Sequence, residues 1–381
     1  MIVSVADNII SPLGTTSEAN FEAVKAGRSE LKRHDGLWNL PEPFVASLMN
    51  REAMAEEFAS LQLDDCYTFF EKMIILSASK ALLNAGIKAS SNKVLFILST
   101  TKGNVFLLDK RETGFPQERV RLGMAAKQMT DYFHNPNPPI VVSNACISGV
   151  CAQIEAMRNL NSGCFDVVVV VGADVQSPFI VSGFQSFKAL SGEPCKPFDA
   201  QRCGLNLGDA AATIIYTRKD KVNENDWVAC RGAIRNDANH ISGPSRTGEG
   251  SFRALRVALG DLPADHIAFI NAHGTATLYN DEMESVAIER AGLSTIHVNA
   301  LKGYYGHTMG AAGVLESILS MKALDEGLVL ATKGFDTLGV THPLKLSNQH
   351  QPTEKKAFIK LLSGFGGCNA ALLFAKGGQP C

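Results

Sequence analysis

The sequence predicts an α/β fold that consists of two similar halves. Short runs of β-branched and other apolar residues end at small or polar residues and lead into stretches with helical periodicity, the pattern of strands that feed helices. Three such runs in the first part of the chain have counterparts of similar character in the second part. A polar, loop-like stretch, residues 217–225 (TRKDKVNEN), lies between the two sets. We therefore expect an N-terminal half, residues 1–217, and a C-terminal half, residues 226–381.

The paired runs predict the same strand order in both halves. Residues 93–99 resemble 266–272, residues 139–143 resemble 296–300, and residues 166–171 resemble 357–362. In the first two pairs an apolar strand delivers polar residues at its carboxyl end. The third pair is too apolar for a half-exposed strand, so we expect it to be covered on both faces. Each middle run is followed by apolar residues at helical spacing: Val150, Ile154, Met157 and Leu160, and later Val314, Ile318 and Met321.

Composition excludes several classes of protein. Apolar residues make up 45% of the 381-residue chain and charged residues 19%, which indicates a packed globule and argues against a disordered or coiled-coil chain. The formal net charge of −2 argues against binding to nucleic acid. No apolar run approaches the roughly 20 residues that span a bilayer, so we expect no membrane insertion. The first residues carry Asp7 and no basic region, so we expect a cytoplasmic location.

Cys146 is the candidate nucleophile. It lies in residues 143–149 (SNACISG), where an apolar strand turns into a helix. A helix N-terminus lowers the pKa of a thiol, so this position favours the reactive thiolate. Ser148 and Gly149 allow a tight turn and a close approach of substrate to the backbone. Taken alone, the segment is somewhat more typical of a buried cysteine that fills the end of a strand.

His273 and His307 are the candidate partners of this thiol. Each follows a predicted strand, and ligands of α/β sheets bind at the carboxyl ends of strands. Each histidine by itself is more typical of an ordinary structural role. No pair of His, Asp or Glu residues has the helical spacing of metal ligands, so we expect no metal site. The phosphate-binding patterns GxxxxGK[ST] and strand-led GxGxxG are absent, so nucleotide chemistry is disfavoured.

Five segments together resemble a known family. They occur in a fixed order: NACISG at 144–149, HGTAT at 273–277 with Asn280 and Asp281 following, Lys302 five residues before His307, GAAGVLE at 310–316, and GFGGCN at 364–369. In this order and spacing they resemble the β-ketoacyl-acyl-carrier-protein synthases of the Cys-His-His type over nearly the whole chain. They are unlike the Cys-His-Asn initiating synthases, and true thiolases lack the HGT segment.

The resemblance implies a thiolase fold, in which two βαβαβαββ halves form five α-β-α-β-α layers. It also implies an acyltransferase that condenses an enzyme-bound acyl group with malonyl-acyl-carrier-protein, with loss of carbon dioxide. The substrates are carried on the phosphopantetheine of acyl carrier protein, so no further cofactor is expected. Such synthases are usually homodimers, and some pair with a related ketosynthase-like subunit.

By matching motifs, Cys146 carries the acyl group, while His273 and His307 assist decarboxylation and stabilise the enolate. The backbone N–H groups of Cys146 and Phe365 form an oxyanion hole. Lys302 keeps the site positive and pairs with Glu316.

Other residues match binding and supporting positions of the family. Thr275 and Thr277 match residues that hydrogen-bond the pantetheine arm, and Asp281 and Glu284 match structural charges. Phe184 matches an aromatic of the acyl pocket but is equally consistent with core packing. Lys188 matches a basic residue that meets acyl carrier protein, and a solvated surface lysine is the alternative.

The chain also departs from the family pattern. The segment from Thr100 to Pro139 is shorter than in relatives, and Cys203 and Ala210 replace a common acidic residue and a common glycine. These changes indicate a divergent branch that serves a specialised polyene or polyketide-like product. Four alternatives stay open: a catalytically inactive chain-length-determining partner, an active subunit that works beside such a partner, a non-catalytic thiolase-fold protein, and a thiolase that uses free coenzyme A.

Overall fold

A mixed sheet is the centre of the computed structural model, which describes residues 1–109 and 114–379. Ten of its described strands form this sheet. In chain order they are β1 (Ile2–Ile10), β2 (Val94–Ser99), β3 (Ile140–Val142), β4 (Val167–Asp174), β5 (Ala210–Arg218), β6 (Trp227–Asn236), β7 (Ile267–Asn271), β8 (His297–Asn299), β9 (Ala357–Gly364) and β10 (Cys368–Lys376). All three predicted pairs of runs are strands, and the members of each pair are β2 and β7, β3 and β8, and β4 and β9.

The strand order repeats between the halves. Across the sheet the order is β8-β7-β9-β10-β6-β1-β5-β4-β2-β3. Within each half, therefore, the third strand lies at the edge, followed by the second, fourth, fifth and first. The two first strands, β1 and β6, pair antiparallel through Ile2–Ser4 and Trp227–Ala229 and join the halves. The predicted repetition of strand order is confirmed.

Three helices per half connect these strands. They are α1 (Phe69–Ala85), α2 (Leu122–Tyr132) and α3 (Ser148–Asn161) in the first half, and α4 (Glu249–Leu259), α5 (Leu278–Arg290) and α6 (Ala312–Asp325) in the second. Both halves thus follow the order βαβαβαββ, and the fold prediction is confirmed. Shorter helices are Ser17–Lys25, Ala55–Ser60, Pro178–Ser186 and Lys302–Tyr305, with 3-10 turns at Leu37–Asn39, Glu52–Met54, Val105–Leu108, Gln117–Val120, Ala264–His266 and Met309–Ala311. Small strands are Lys32–His34, Phe44–Ser47, Leu207–Gly208, Leu328–Val329 and Gln351–Pro352.

The apolar core is divided by the layers. Residues of α1 and α2 pack on the outer face of the first half of the sheet, as Phe70 does near Phe96. Residues of α4 and α5 pack in the same way on the second half. Helices α3 and α6 fill the space between the inner faces. Nearly every residue of α6 is buried, as expected for a helix that is apolar on most of its circumference.

The central helices cross at two glycines. A Cβ atom built on Gly149 lies 2.9 Å from the Gly313 Cα, and one built on Gly313 lies 2.5 Å from the Val150 nitrogen. Gln153 spans the crossing by donating to the carbonyl oxygens of Gly149 and Gly313, both at 3.0 Å. Tyr216 on β5 donates to the Gln153 Oε1 at 2.7 Å. This close contact brings the starts of α3 and α6, and the loops before them, next to each other.

The short segment between β2 and β3 contains two 3-10 turns and α2. Four of its residues, 110–113, lie outside the described part, as do residues 380 and 381 of the predicted C-terminal half. Of the helices that the structure describes, none has both the length and the apolar character needed to cross a membrane. The cytoplasmic location stays a prediction.

Candidate active site

The three predicted reactive side chains meet at one edge of the sheet. Cys146 follows β3, His273 follows β7, and His307 follows β8. The Cys146 Sγ and one ring nitrogen of each histidine lie within 4.8 Å of one another. The imidazole rings stand edge to face, with centroids 5.0 Å apart and an interplanar angle of 79°. These atoms are also close enough to hold a metal ion, and the expectation of no metal stays a prediction.

A strained turn presents Cys146 at this edge. The residue before it, Ala145, has φ +45°, in the left-handed region that side chains other than glycine rarely adopt. The Ser148 hydroxyl stabilises the turn, since it donates to the Ala145 carbonyl at 2.6 Å and accepts from the Asn144 N–H at 2.7 Å. Gly364 lies so close that a Cβ there would be 3.1 Å from the Cys146 nitrogen. Helix α3 begins two residues after the thiol.

The pKa of Cys146 differs from the sequence expectation. The residue is partly exposed to a cavity, but its thiol lies deep among protein atoms, and this burial raises the pKa to about 11. Lys302, Lys102 and the backbone N–H of Phe365 oppose the rise. The prediction that the helix start lowers the pKa below its ordinary value is therefore wrong, because burial outweighs the groups that favour the thiolate. The resting nucleophile is a thiol at neutral pH.

His307 is held as a neutral ring. Its Nδ1 accepts a hydrogen bond from the Met309 N–H at 3.3 Å, which leaves the ring proton on Nε2. The Nε2 is buried without a hydrogen-bond partner in the protein. Burial, followed by the charges of Lys302 and Lys360, holds the pKa of His307 well below its ordinary value. His307 therefore offers an uncommitted N–H donor beside the thiol.

His273 is fixed through its backbone. Its N–H donates to Glu284 Oε1 at 2.6 Å, and its carbonyl accepts from the Lys302 Nζ at 2.6 Å. Burial lowers the pKa of the His273 imidazole well below its ordinary value, with contributions from Lys302, His307 and Lys360. The Nδ1 of this ring is also buried without a partner. Two neutral imidazoles thus face the thiol.

Glu284 and Asp281 lie behind His273, on α5. Glu284 accepts hydrogen bonds from the N–H groups of His273 and Gly274, and Asp281 accepts from the Phe198 N–H at 2.7 Å. Burial raises the pKa of Asp281 to about 6 and, together with the charge of Asp281, that of Glu284 to about 7. Both carboxyl groups therefore bind backbone rather than point into the cavity.

Lys302 and Glu316 form a buried ion pair, and a second lysine joins it. The Lys302 Nζ lies 2.9 Å from Glu316 Oε1, and the Lys360 Nζ lies 2.5 Å from Glu316 Oε2. All three side chains are almost completely buried. Burial alone would raise the pKa of Glu316, but the two lysines lower it below its ordinary value. The cluster carries more positive than negative charge.

A cavity of about 440 Å³ leads from the surface to Cys146. Phe365 lines it and stacks on Phe184 at 5.9 Å between centroids, while Phe187 contacts Phe365 edge-on at 5.6 Å. The lining also includes Thr275, Thr277, Lys188 and Cys203. The two threonine hydroxyls lie 2.9 Å apart, and Lys188 is exposed near the entrance. The cavity thus has an apolar inner wall and a polar entrance.

Sequence reasoning missed Lys360 and Asp174. Asp174, at the end of β4, accepts hydrogen bonds from the hydroxyls of Thr100 and Thr101 and from the Gly310 N–H. It connects the first half to the loop after His307. The signal that could have found them is a lone charged residue within a mostly apolar strand that is covered on both faces. His240 also lines the cavity.

The repeated α/β halves, with one thiol and two imidazoles at their shared edge, define the thiolase-fold class of acyl-transferring enzymes. The model for the N-terminal domain of beta-ketoacyl synthases matches residues 1–221, and the model for their C-terminal domain matches residues 228–336. The chain belongs to the beta-ketoacyl synthase family.

Individual relatives agree with this assignment. The chain is 27% identical over 418 aligned residues to 3-oxoacyl-(acyl-carrier-protein) synthase 2 of Vibrio cholerae, covering 98% of this chain and 99% of the relative. Its fold is similar to that of the ketosynthase ApeO in complex with its chain length factor ApeC from Xenorhabdus doucetiae, with a TM-score of 0.86, 23% identity and 98% of each chain covered. The fold is also similar to that of a chain in the structure of a type II PKS acyl-carrier protein in complex with its ketosynthase. The TM-score is 0.79, the identity is 18%, and the alignment covers 98% of this chain and 99% of the other.

Proposed function

We propose that the chain is a β-ketoacyl-acyl-carrier-protein synthase that condenses an acyl group on Cys146 with malonyl-acyl-carrier-protein. The observation that carries the proposal is the meeting of one thiol and two neutral imidazoles at the inner end of an apolar cavity. The similarity to a 3-oxoacyl-(acyl-carrier-protein) synthase over the whole chain supports it.

In the first step the Cys146 sulfur attacks the carbonyl carbon of an acyl thioester on acyl carrier protein. The bond from that carbon to the carrier sulfur breaks, and the carrier thiol leaves with the proton of the Cys146 thiol. Since burial raises the pKa of Cys146 to about 11, the developing thiolate needs help. Lys302 and the Phe365 N–H supply it, because both favour the charged form.

In the second step the malonyl thioester loses its carboxyl group as carbon dioxide, and the electron pair of the broken bond forms an enolate. Neutral His273 and His307 donate N–H groups to the enolate oxygen, a type of interaction worth about 3 kcal/mol per donor in a site without water. The enolate carbon attacks the acyl carbonyl, and the Cys146 sulfur leaves. The N–H groups of Cys146 and Phe365 stabilise the tetrahedral oxyanion.

The cavity suits a long, mostly apolar substrate on a flexible arm. Thr275 and Thr277 line the cavity, and we expect their hydroxyls to bond the amides of a phosphopantetheine arm. Phe184 supplies an apolar wall for the acyl chain, and Lys188 supplies a positive charge at the entrance for an acidic carrier protein. The proposed reaction uses no metal or bound organic cofactor, and that expectation stays a prediction.

A second candidate is an active subunit of a heterodimer with a chain length factor. The similarity to the ketosynthase ApeO, which was solved with such a partner, favours it. Both candidates assign the chemistry to Cys146, His273 and His307, and they differ in the partner. Copurification with a related, ketosynthase-like chain supports the heterodimer, whereas an active chain that assembles only with itself supports the homodimer.

The test is formation of the acyl-enzyme. Purified chain is incubated with acyl carrier protein loaded with acyl groups of several lengths, and peptides are analysed by mass spectrometry. An acyl adduct on Cys146 is expected. The control is Cys151→Ala, which removes a buried thiol on the same helix and is expected to acylate normally. Folded protein without an adduct at any chain length contradicts the proposal and favours a non-catalytic thiolase-fold partner.

The variant Cys146→Ala separates the two steps. It is expected to lose condensation completely and to keep decarboxylation of malonyl-acyl-carrier-protein, because the imidazoles that stabilise the enolate are intact. Carbon dioxide release and β-ketoacyl product are measured in parallel. Loss of both activities in a folded variant shows that the roles assigned to the histidines are wrong.

A further inference from the structure

Lys360 is a fully buried lysine that the proposed chemistry does not use. It lies on β9, between the apolar residues Ile359 and Leu361, and none of its surface is exposed. A buried ammonium group is costly unless it is paired and hydrogen-bonded. Its Nζ satisfies that requirement with the Glu316 carboxylate at 2.5 Å and with groups on β7. The location of these partners indicates what the lysine does.

The partners of Lys360 lie immediately before His273. The Nζ donates to Asn271 Oδ1 at 2.6 Å, and it also lies 3.2 Å from the Asn271 carbonyl and 3.3 Å from the Ala272 carbonyl. Asn271 in turn donates through Nδ2 to Asn299 Oδ1 at 2.8 Å. Lys360 therefore links the middle of β9 to the carboxyl ends of β7 and β8, which lead to His273 and His307.

Lys360 also determines the charge behind the imidazoles. Glu316 is shared between Lys302 and Lys360, so one of these two positive charges is not neutralised within the cluster. The Lys302 Nζ reaches the His273 carbonyl, and Lys360 reaches the two residues before it. Without Lys360, Lys302 and Glu316 would form a simple neutral pair.

We infer that Lys360 is a positioning residue, which fixes the strand ends that carry His273 and His307 and supplies the unbalanced positive charge that keeps both imidazoles uncharged. This inference rests on the proposed function. An uncharged imidazole donates an N–H to the enolate without also holding the malonyl carboxylate as an ion pair, so the charge serves decarboxylation. Lys360 touches neither substrate nor thiol in this role.

Other charged groups near the imidazoles modify this effect. They are Cys146 in the cavity, Lys302 and Glu316 beside Lys360, and Asp281 and Glu284 on α5. Burial raises the pKa of Glu284 to about 7, so near neutral pH it is only partly charged and offsets the lysines incompletely. Burial lowers the pKa of Lys360 to about 8, against the opposing effect of Glu316, so Lys360 is charged at and below neutral pH.

The direction of the pH effect follows from the sign of the charge. A positive charge disfavours protonation of a nearby imidazole, so removal of Lys360 raises the pKa of His273 and His307. The acid limb of the decarboxylation rate then moves to higher pH. A shift of roughly one pH unit or more is expected for a charge at this range. Loss of packing alone would lower the rate equally at all pH values.

The experiment compares Lys360→Met, which removes charge and donors, with Lys360→Gln, which removes the charge but keeps a donor for Asn271. Decarboxylation of malonyl-acyl-carrier-protein is measured between pH 5 and 9, with thermal unfolding as the check on folding. Both variants are expected to shift the acid limb upward, and the Met variant is expected to lose more rate at the optimum. The matched control is Lys376→Met on β10. The Lys376 Nζ lies 2.5 Å from Asp325 Oδ1 and does not contact the imidazoles, so the acid limb of this variant is expected to stay in place.

A second measurement uses the unmodified chain, so it depends neither on a variant that folds nor on enzyme activity. Ring-labelled histidine is titrated by NMR, and the pKa values of His273 and His307 are expected to lie well below the ordinary value of 6.5. Titration of either ring at its ordinary pKa overturns the inference, as does an unshifted acid limb in a folded Lys360→Gln variant. Neutral rings in a chain without decarboxylase activity contradict the proposed function and leave the charge assignment standing.

Discussion

The two halves share one backbone plan but carry opposite electrostatics at the edge where they meet. In the first half, the polar centre is Asp174, whose partners are hydroxyl and backbone N–H groups of Thr100, Thr101 and Gly310. In the second half, the centre is Glu316, whose partners are the charged side chains of Lys302 and Lys360. The first half binds a carboxylate with neutral donors, whereas the second surrounds one with excess cations.

This difference separates two tasks. The first half contributes Cys146 on a hydrogen-bonded turn, and its uncharged donors hold the Asp174 carboxylate near the thiol. The second half contributes both imidazoles, at strand ends equivalent to those that carry Thr100 and Cys146 in the first. The buried cations behind them favour uncharged rings and negative charge in the cavity. In the proposed reaction, the repeated scaffold thus supports a nucleophile on one side and an enolate-stabilising pair on the other.

The largest expected effect is on stability and tests the charge difference directly. Glu316→Gln leaves two buried ammonium groups without a counter-charge, which costs about 3–5 kcal/mol. Asp174→Asn keeps one acceptor oxygen for the N–H groups of Thr101, Lys102 and Gly310 and leaves part of these donors unpaired, which costs about 1–3 kcal/mol. Urea unfolding at pH 7 measures both free energies. Equal costs for the two substitutions would contradict the electrostatic distinction between the halves.

Glu316 and Asp174 are expected to change the free energy of unfolding in opposite directions as the pH falls. The two lysines lower the folded pKa of Glu316 below 4.5, so its stabilisation is present above that pH and is lost as pH falls through the lower folded value. Burial raises the folded pKa of Asp174 above 3.8, so its ionisation destabilises the fold as pH rises. The deficit of Glu316→Gln relative to the unmodified chain is therefore expected to shrink in acid, and that of Asp174→Asn to grow.

The next effect is on the rate of decarboxylation. Replacing His273 or His307 by Ala removes one N–H donor from the enolate and is expected to lower carbon dioxide release by about 100- to 1,000-fold. The control is Thr101→Val at the equivalent strand end of the first half, which removes one hydroxyl from Asp174 and is expected to change the rate by only a few fold. A comparable loss in the Thr101 variant would show that enolate stabilisation is shared between the halves.

Most of the fold was accessible from the sequence because the two halves repeat the same patterns. The runs that became β4 and β9 are apolar enough to require cover on both faces. The polar ends of β2 and β7, like those of β3 and β8, are equivalent in the two halves. The meeting of Cys146, His273 and His307 follows from that topology once each is placed after a strand. The remaining site residues were assigned through family resemblance, since Thr275 or Phe184 carries no local signal of its own.

The electrostatics of the site were not accessible in the same way. A helix start beside Cys146 predicts a lowered pKa, but the raised value depends on how deeply the thiol is buried, which no local pattern specifies. Lys360 is a single charged residue in a mostly apolar strand, and its partners Glu316 and Asn271 are distant in sequence. Which buried charges pair with one another depends on how the layers of the fold pack, and the local sequence does not specify it.

The smallest expected effect tests how closely the halves must approach. Gly313→Ala places a Cβ 2.5 Å from the Val150 nitrogen, so α3 and α6 must separate, at a cost of about 1–3 kcal/mol. The control is Gly123→Ala on α2, where a new Cβ meets nothing within 4 Å and where alanine favours the helix by about 0.5–1 kcal/mol. Urea unfolding measures both changes. Because α3 and α6 carry the loops of Cys146 and His307, condensation is expected to fall in Gly313→Ala beyond what the loss of folded protein explains. Full activity in a folded Gly313→Ala variant would contradict this expectation. It would show that the reaction does not depend on a close crossing of α3 and α6, although the thiol and the ring nitrogens lie within 4.8 Å of one another.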